Sequence, residues 1–137
     1  MASRIRIAVA LLVLAAGGAT ACGTASAGAA VKTVHVTIHY SSFDPSSFSF
    51  APGATVLFVV QNTDPIDHEF IVGDQAVQDA HENGTEAYHP PRPGEMTVPA
   101  GTTRTTTVTF GHAASLIFGC HLPGHYAYGM HGLILVR

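Results

Sequence analysis

The sequence predicts an all-β protein, a β-sandwich, and three observations carry that expectation. Val34, Val36, Ile38 and Tyr40 alternate with Thr33, His35, Thr37 and His39, the two-residue period of a strand with one buried face. Further short apolar runs follow at regular spacing, separated by Gly- and Pro-containing turns, as in sandwiches. No segment carries a convincing helical period.

Arg4 and Arg6, an apolar run over residues 5–16 and small residues up to Ala21 form an export signal. The run is too short to cross a bilayer, which needs about 20 residues. The small residues ending at Cys22 resemble a bacterial lipobox, with Cys22 lipidated as the first mature residue; ordinary cleavage after Ala21 or Ala27 is the alternative. Residues 1–21 are therefore assigned to a lipoprotein-type signal peptide. Residues 22–32, rich in Ala, Gly, Ser and Thr, make a flexible tether, and residues 33–137 the folded domain. Its expected place is extracytoplasmic, lipid-anchored to the outer face of the membrane, or else periplasmic or secreted.

After the strand at 33–40, Phe43, Phe48 and Phe50 continue the apolar set around a turn at Asp44-Pro45. Pro52-Gly53 marks the next turn. Residues 55–61 are continuously apolar, suited to burial on both faces. Residues 62–65 turn the chain and 68–72 form the next strand. Residues 73–95 break the rhythm with Asp, Glu, His, Pro and Gly; they read as an irregular insertion with room for a short helical turn. Residues 102–110 alternate again after the Pro99-Ala100-Gly101 turn. Residues 115–120 and 133–136 supply the last strands.

Removing the signal leaves 116 residues, enough for one domain with a real core. It also removes two of six basic residues and none of the nine acids, so the mature charge is −5. That balance argues against nucleic-acid binding. There are two cysteines. With Cys22 given to lipid, Cys120 stands alone in an oxidising compartment, where a free thiol is a liability unless something occupies it.

A metal would occupy it. Cys120, His125 and Met130 lie five residues apart on one short loop. Thiolate, imidazole and thioether are the soft and borderline ligands that copper prefers. His68, in Asp67-His68-Glu69-Phe70, starts a different strand and is the candidate second imidazole. A His₂Cys plane with a weak axial Met serves both Cu(I) and Cu(II). Cys120 must bind as thiolate and the imidazoles as neutral rings.

Over residues 34–137 the chain resembles a cupredoxin, the blue-copper family of plastocyanin, azurin and rusticyanin. The run Val56-Leu57-Phe58-Val59-Val60-Gln61-Asn62 followed by His68-Glu69-Phe70 is similar to the segment carrying the family's first histidine ligand. Cys120, His125 and Met130 match its C-terminal loop, with the Cys-x₄-His-x₄-Met spacing of rusticyanin. The resemblance implies a Greek-key β-sandwich and one type 1 copper held by His68, Cys120, His125 and Met130. It implies an electron-transfer protein, not an enzyme, shuttling single electrons between extracytoplasmic partners such as a cytochrome or an oxidase. A monomer without small-molecule substrate is expected. The edge of His125 would reach solvent within a rim of Pro123, Tyr126 and Tyr128. The alternative is a copper carrier or chaperone that delivers the metal, although Met96 and Met130 are the only methionines beyond the signal.

Two departures stand out. Many cupredoxins follow the first histidine with Asn or Ser, which ties the two ligand loops together; here Glu69 stands there. Multicopper oxidases flank the cysteine with histidines, but Gly119 precedes Cys120 and the chain has no His-x-His pair, so a trinuclear cluster cannot be assembled.

Other histidines have simpler readings. His35, His39 and His112 belong on the surface. His121 and His131 each follow a ligand and should point away from the metal while lying near it. His81, Glu82, Glu86 and His89 fall in the irregular stretch. They make either a second metal site, centred on His81 and His89, or a hydrophilic loop, since their spacing matches no metal motif. Seven of the nine acids lie between Asp64 and Glu86. They form either a docking patch for a basic redox partner or a solvated loop.

Overall fold

The computed structural model describes residues 30–137. The signal peptide, Cys22 and most of the tether lie outside the described residues. The first strand, β1 (Lys32–His39), is followed by β2 (Ser42–Asp44), β3 (Ser47–Phe50), β4 (Ala54–Asn62) and β5 (His68–Gly73). A helix, α1 (Gln75–Glu82), then precedes β6 (Glu95–Val98), β7 (Thr103–Phe110), β8 (Ala114–Gly119) and β9 (His131–Val136). They form two sheets, ordered β2-β1-β4-β7 and β3-β9-β8-β5-β6. The chain changes sheet between β2 and β3, β3 and β4, β4 and β5, β6 and β7, and β7 and β8. The expected β-sandwich is what forms.

The core lies between the sheets. Val36, Ile38, Val56, Phe58 and Val60 face Phe70, Phe118, Ile134 and Val136. All seven phenylalanines of the chain belong to this cluster, Phe48 at its margin. Phe58 and Phe118 are fully buried, and each such side chain contributes roughly 1.5–3 kcal/mol.

Three expectations need correction. Tyr40 does not continue β1. It is 83% exposed with φ of 50°, because the chain turns there to reach β2. Residues 55–61 are not buried on both faces. Val56, Phe58 and Val60 are buried while Leu57 and Val59 are only half-buried, since β4 is central in its sheet but packs against the other sheet on one side only. The insertion is also more regular than its composition suggests. Asp74 caps α1 by accepting the Val77 N–H at 3.0 Å. The helix's one fully buried residue is Gln78, a polar side chain at an inward position.

Candidate metal centre

The centre sits where β5 begins and β8 ends. His68 is the first residue of β5 and pairs with Val98 of β6. The turn before it is built by Asn62, whose amide donates to the carbonyls of Ile66 and Val98 at 2.8 and 2.9 Å. Asn62 also accepts the Asp64 N–H at 3.0 Å. Cys120 follows β8 directly, at the entrance to the loop. That loop folds on itself: the Met130 N–H donates to the His125 carbonyl and the Cys120 N–H to the Met130 carbonyl, at 3.0 and 3.1 Å. Gly129, at φ of 97°, takes the left-handed conformation this closure needs. Gly119 has a different reason. A Cβ there would lie 2.8 Å from the Tyr126 ring, so any side chain would push that ring out of the loop.

Three predicted ligands meet. The Sγ of Cys120 lies 3.3 Å from His125 Nδ1 and 3.8 Å from His68 Nδ1. One donor atom from each residue falls within 4.8 Å of the others. His68 and Cys120 are fully buried and His125 is half-buried. Met130, only 1% exposed, is held beside them through its backbone.

The chemistry of this set fits copper. Asp64 Oδ2 lies 3.0 Å from His68 Nε2. Burial opposes ionisation of Asp64, but the N–H groups of Ser41 and Tyr40, with His68, hold its carboxyl below the usual range. Burial, aided by the charge of His125, keeps the His68 pKa below 6.5 against the pull of Asp64. The pair is thus a carboxylate accepting from a neutral ring. With Nε2 protonated, the lone pair of His68 is on Nδ1, which faces Cys120. Burial likewise pushes the Cys120 thiol above 9.0, and the charges of Glu69 and Glu82 add to this, against the N–H groups of Glu69 and Leu122. A thiolate here therefore depends on a bound cation.

Two supporting residues escape a reading based on ligands alone. Asp64 falls within the acidic cluster of the sequence, yet it is 7% exposed. Its carboxylate accepts the N–H of Tyr40 and of Ser41, both at 2.8 Å. Those two residues have φ near 50°, a strained pair that the carboxylate pins in place. Only its position four residues before His68 signals this role. Gln78 donates to the carbonyls of Ile71 and Ile117 and faces His121 Nε2 at 2.8 Å; nothing in the sequence marks it.

Glu69 supplies the tie between ligand loops that its identity left open. Its N–H donates to Cys120 Sγ at 3.3 Å, and its carboxylate accepts the His121 N–H at 3.1 Å. His121 is not a surface residue. Its side chain is 2% exposed, flanked by Gln78 and by Glu82 at 2.9 Å, and stacked on Tyr126. Tyr126 also contacts His131, while Tyr128 is 93% exposed and Pro123 is exposed. His35, His39 and His112 are exposed as expected. Members of the acidic cluster have local partners: Asp67 accepts the Ala100 N–H, Asp79 bonds Gln75, and Asp74 caps α1.

The second group of sequence candidates assembles differently from its expected form. His81, Glu86 and His89 come together, but with Glu95. Glu82 turns the other way, to His121.

A family model described as copper binding proteins, plastocyanin/azurin family, matches residues 30–137. The copper-resistant cuproprotein CopI of Rubrivivax gelatinosus is 36% identical over 115 residues, covering 81% of this chain and 70% of that protein. CopI of Pseudomonas aeruginosa is 27% identical, covering 82% and 80%. Reduced auracyanin from Roseiflexus castenholzii shares the fold, with a TM-score of 0.65 at 22% identity, over 80% of this chain and 99% of that one.

Proposed function

The chain belongs to the plastocyanin/azurin family of copper-binding proteins, and from that premise we propose that it is an extracytoplasmic electron-transfer protein carrying one type 1 copper. One observation carries the reading. A buried thiol faces the Nδ1 atoms of two imidazoles, and the outer nitrogen of His68 is fixed by Asp64. Copper in such a site supplies a one-electron couple. The residues hold its surroundings constant: the loop is closed by main-chain bonds and His68 is locked at a strand end. A first shell so pre-organised keeps rearrangement between oxidation states small. Met130 is the proposed axial ligand, and His125, half-buried, the proposed route for the electron. A cytochrome or an oxidase is the expected class of partner.

The test is the visible spectrum after Cu(II) is added to the mature protein. An intense thiolate-to-copper band is expected, absent from Cys120→Ser. A colourless protein with copper bound elsewhere would overturn the assignment. Met130→Leu should keep the colour and shift the potential; no shift removes Met130 from the ligands.

A second reading, copper handling, gains weight from the two relatives named copper-resistant cuproproteins. Voltammetry separates the two. A reversible couple with copper retained favours the shuttle, and copper that exchanges readily with a chelator favours the carrier.

A further inference from the structure

The second histidine cluster lies in a cleft of about 570 Å³ bordered by Glu69, Ile71, Met96 and Thr97. His81 comes from the last turn of α1, Glu86 and His89 from the segment after it, and Glu95 from the start of β6. One donor atom from each of the four lies within 4.8 Å of the others. All four side chains are at most 20% exposed.

Their polar atoms converge without satisfying one another. His81 Nε2, Glu86 Oε2 and Glu95 Oε2 are buried and have no hydrogen-bond partner. His81 Nε2 does lie against Glu86 Oε2, yet without hydrogen-bond geometry. Buried polar atoms left in this state are rare and costly. His89 adds to the imbalance. Its Nδ1 is 2.8 Å from the Pro90 carbonyl, which only accepts, so Nδ1 carries the proton. The lone pair of a neutral His89 is then on Nε2, which faces Glu86 Oε1 at 2.9 Å and Glu95 Oε2 at 3.2 Å. That nitrogen, set against two carboxylates, needs either a proton or a metal ion between them.

Arg92 does not fill that role. It reaches Oε1 of Glu86 at 2.9 Å and Oε1 of Glu95 at 3.6 Å, and neither Oε2. Two carboxylates against one guanidinium also leave one negative charge over.

We propose that His81, Glu86, His89 and Glu95 form a second metal site, for a divalent borderline cation such as Zn(II). Two imidazoles with two carboxylates are a set that Zn(II) accepts at four-coordinate sites. The set contains no thiolate or thioether, so it does not favour Cu(I). The simpler competitor is a protonated ion-pair network with no metal.

The experiment counts zinc retained by the mature protein after dialysis. It is run on copper-loaded protein and on Cys120→Ala, so the result does not depend on how the first centre is read. One zinc per chain is expected in both, with only nitrogen and oxygen neighbours by X-ray absorption. His81→Ala/His89→Ala should weaken binding by at least about 100-fold, beyond the loss typical of a merely supporting residue. Should that variant unfold by circular dichroism, Glu95→Gln decides, with at least about a 10-fold loss expected. No retained zinc, or zinc held equally by the folded variants, overturns the proposal.

Discussion

The Cys120 pocket and the cleft around Glu95 each gather two imidazoles, but they hold them by different means. In the pocket, the supports are main-chain bonds and strand ends: the loop closes on its own backbone, and His68 is fixed by a buried carboxylate. In the cleft, the supports are other side chains, four of which depend on one another and on a half-exposed Arg92. The pocket offers sulfur and nitrogen, the cleft nitrogen and oxygen. Placement by backbone gives geometry that does not wait for the ligand, whereas placement by mutually repelling side chains gives geometry that a ligand completes.

The largest test of that contrast is Asp64→Asn. It leaves every proposed ligand in place but weakens the hold on His68 and on the Tyr40-Ser41 turn. Copper affinity should fall roughly 10- to 100-fold, the usual loss for an outer partner of a metal-bound histidine, while zinc in the cleft is unchanged. Unaltered copper affinity would mean that backbone alone positions His68.

Gln78→Ala probes a side chain that joins the two regions, since it bonds β5, β8 and His121, and His121 stacks on His81. Leaving its buried partners unpaired should cost about 1–3 kcal/mol, read from the midpoint of urea unfolding. A smaller loss would show that α1 contributes little to holding the sheet.

The mildest effect is the pH profile of the metal-free protein. The folded pKa of His68 is lowered, so the unfolded chain takes up a proton first, and stability declines as pH falls below 6.5. The lowered Asp64 acts with the same sign below 3.8. The raised Cys120 acts on the other side, since the unfolded thiol ionises first and stability declines above 9.0. A plateau between 6.5 and 9.0 is therefore expected, and stability that rises on acidification would contradict the neutral reading of His68.

The pocket was largely legible in the sequence and the cleft only partly so. Cys120, His125 and Met130 share one loop, and His68 opens a strand whose alternation is plain, so spacing and period sufficed. The cleft draws on an insertion with no apolar period. Glu95 joins it only because β6 pairs with β5, a long-range contact that no local pattern announces. Glu82 is one residue from His81 and so faces another way on the helix, which is why proximity in sequence misassigned it. Gln78 stayed hidden for a related reason: a polar residue at a helix's buried position looks like a surface residue until its partners are known.

The parallel pairing of β1 with β4 fixes which pole of the protein each chain end occupies. Ile38 lies beside Asn62 at the metal-centre end, and Lys32 beside Val56, six residues or about 20 Å away along the strand. Strand β9 runs likewise from His131, next to the loop, to Val136 beside Phe50. Both ends of the folded part thus leave from the pole opposite Cys120. An electrode or bead coupled at Lys32 or at Arg137 would present the centre outward.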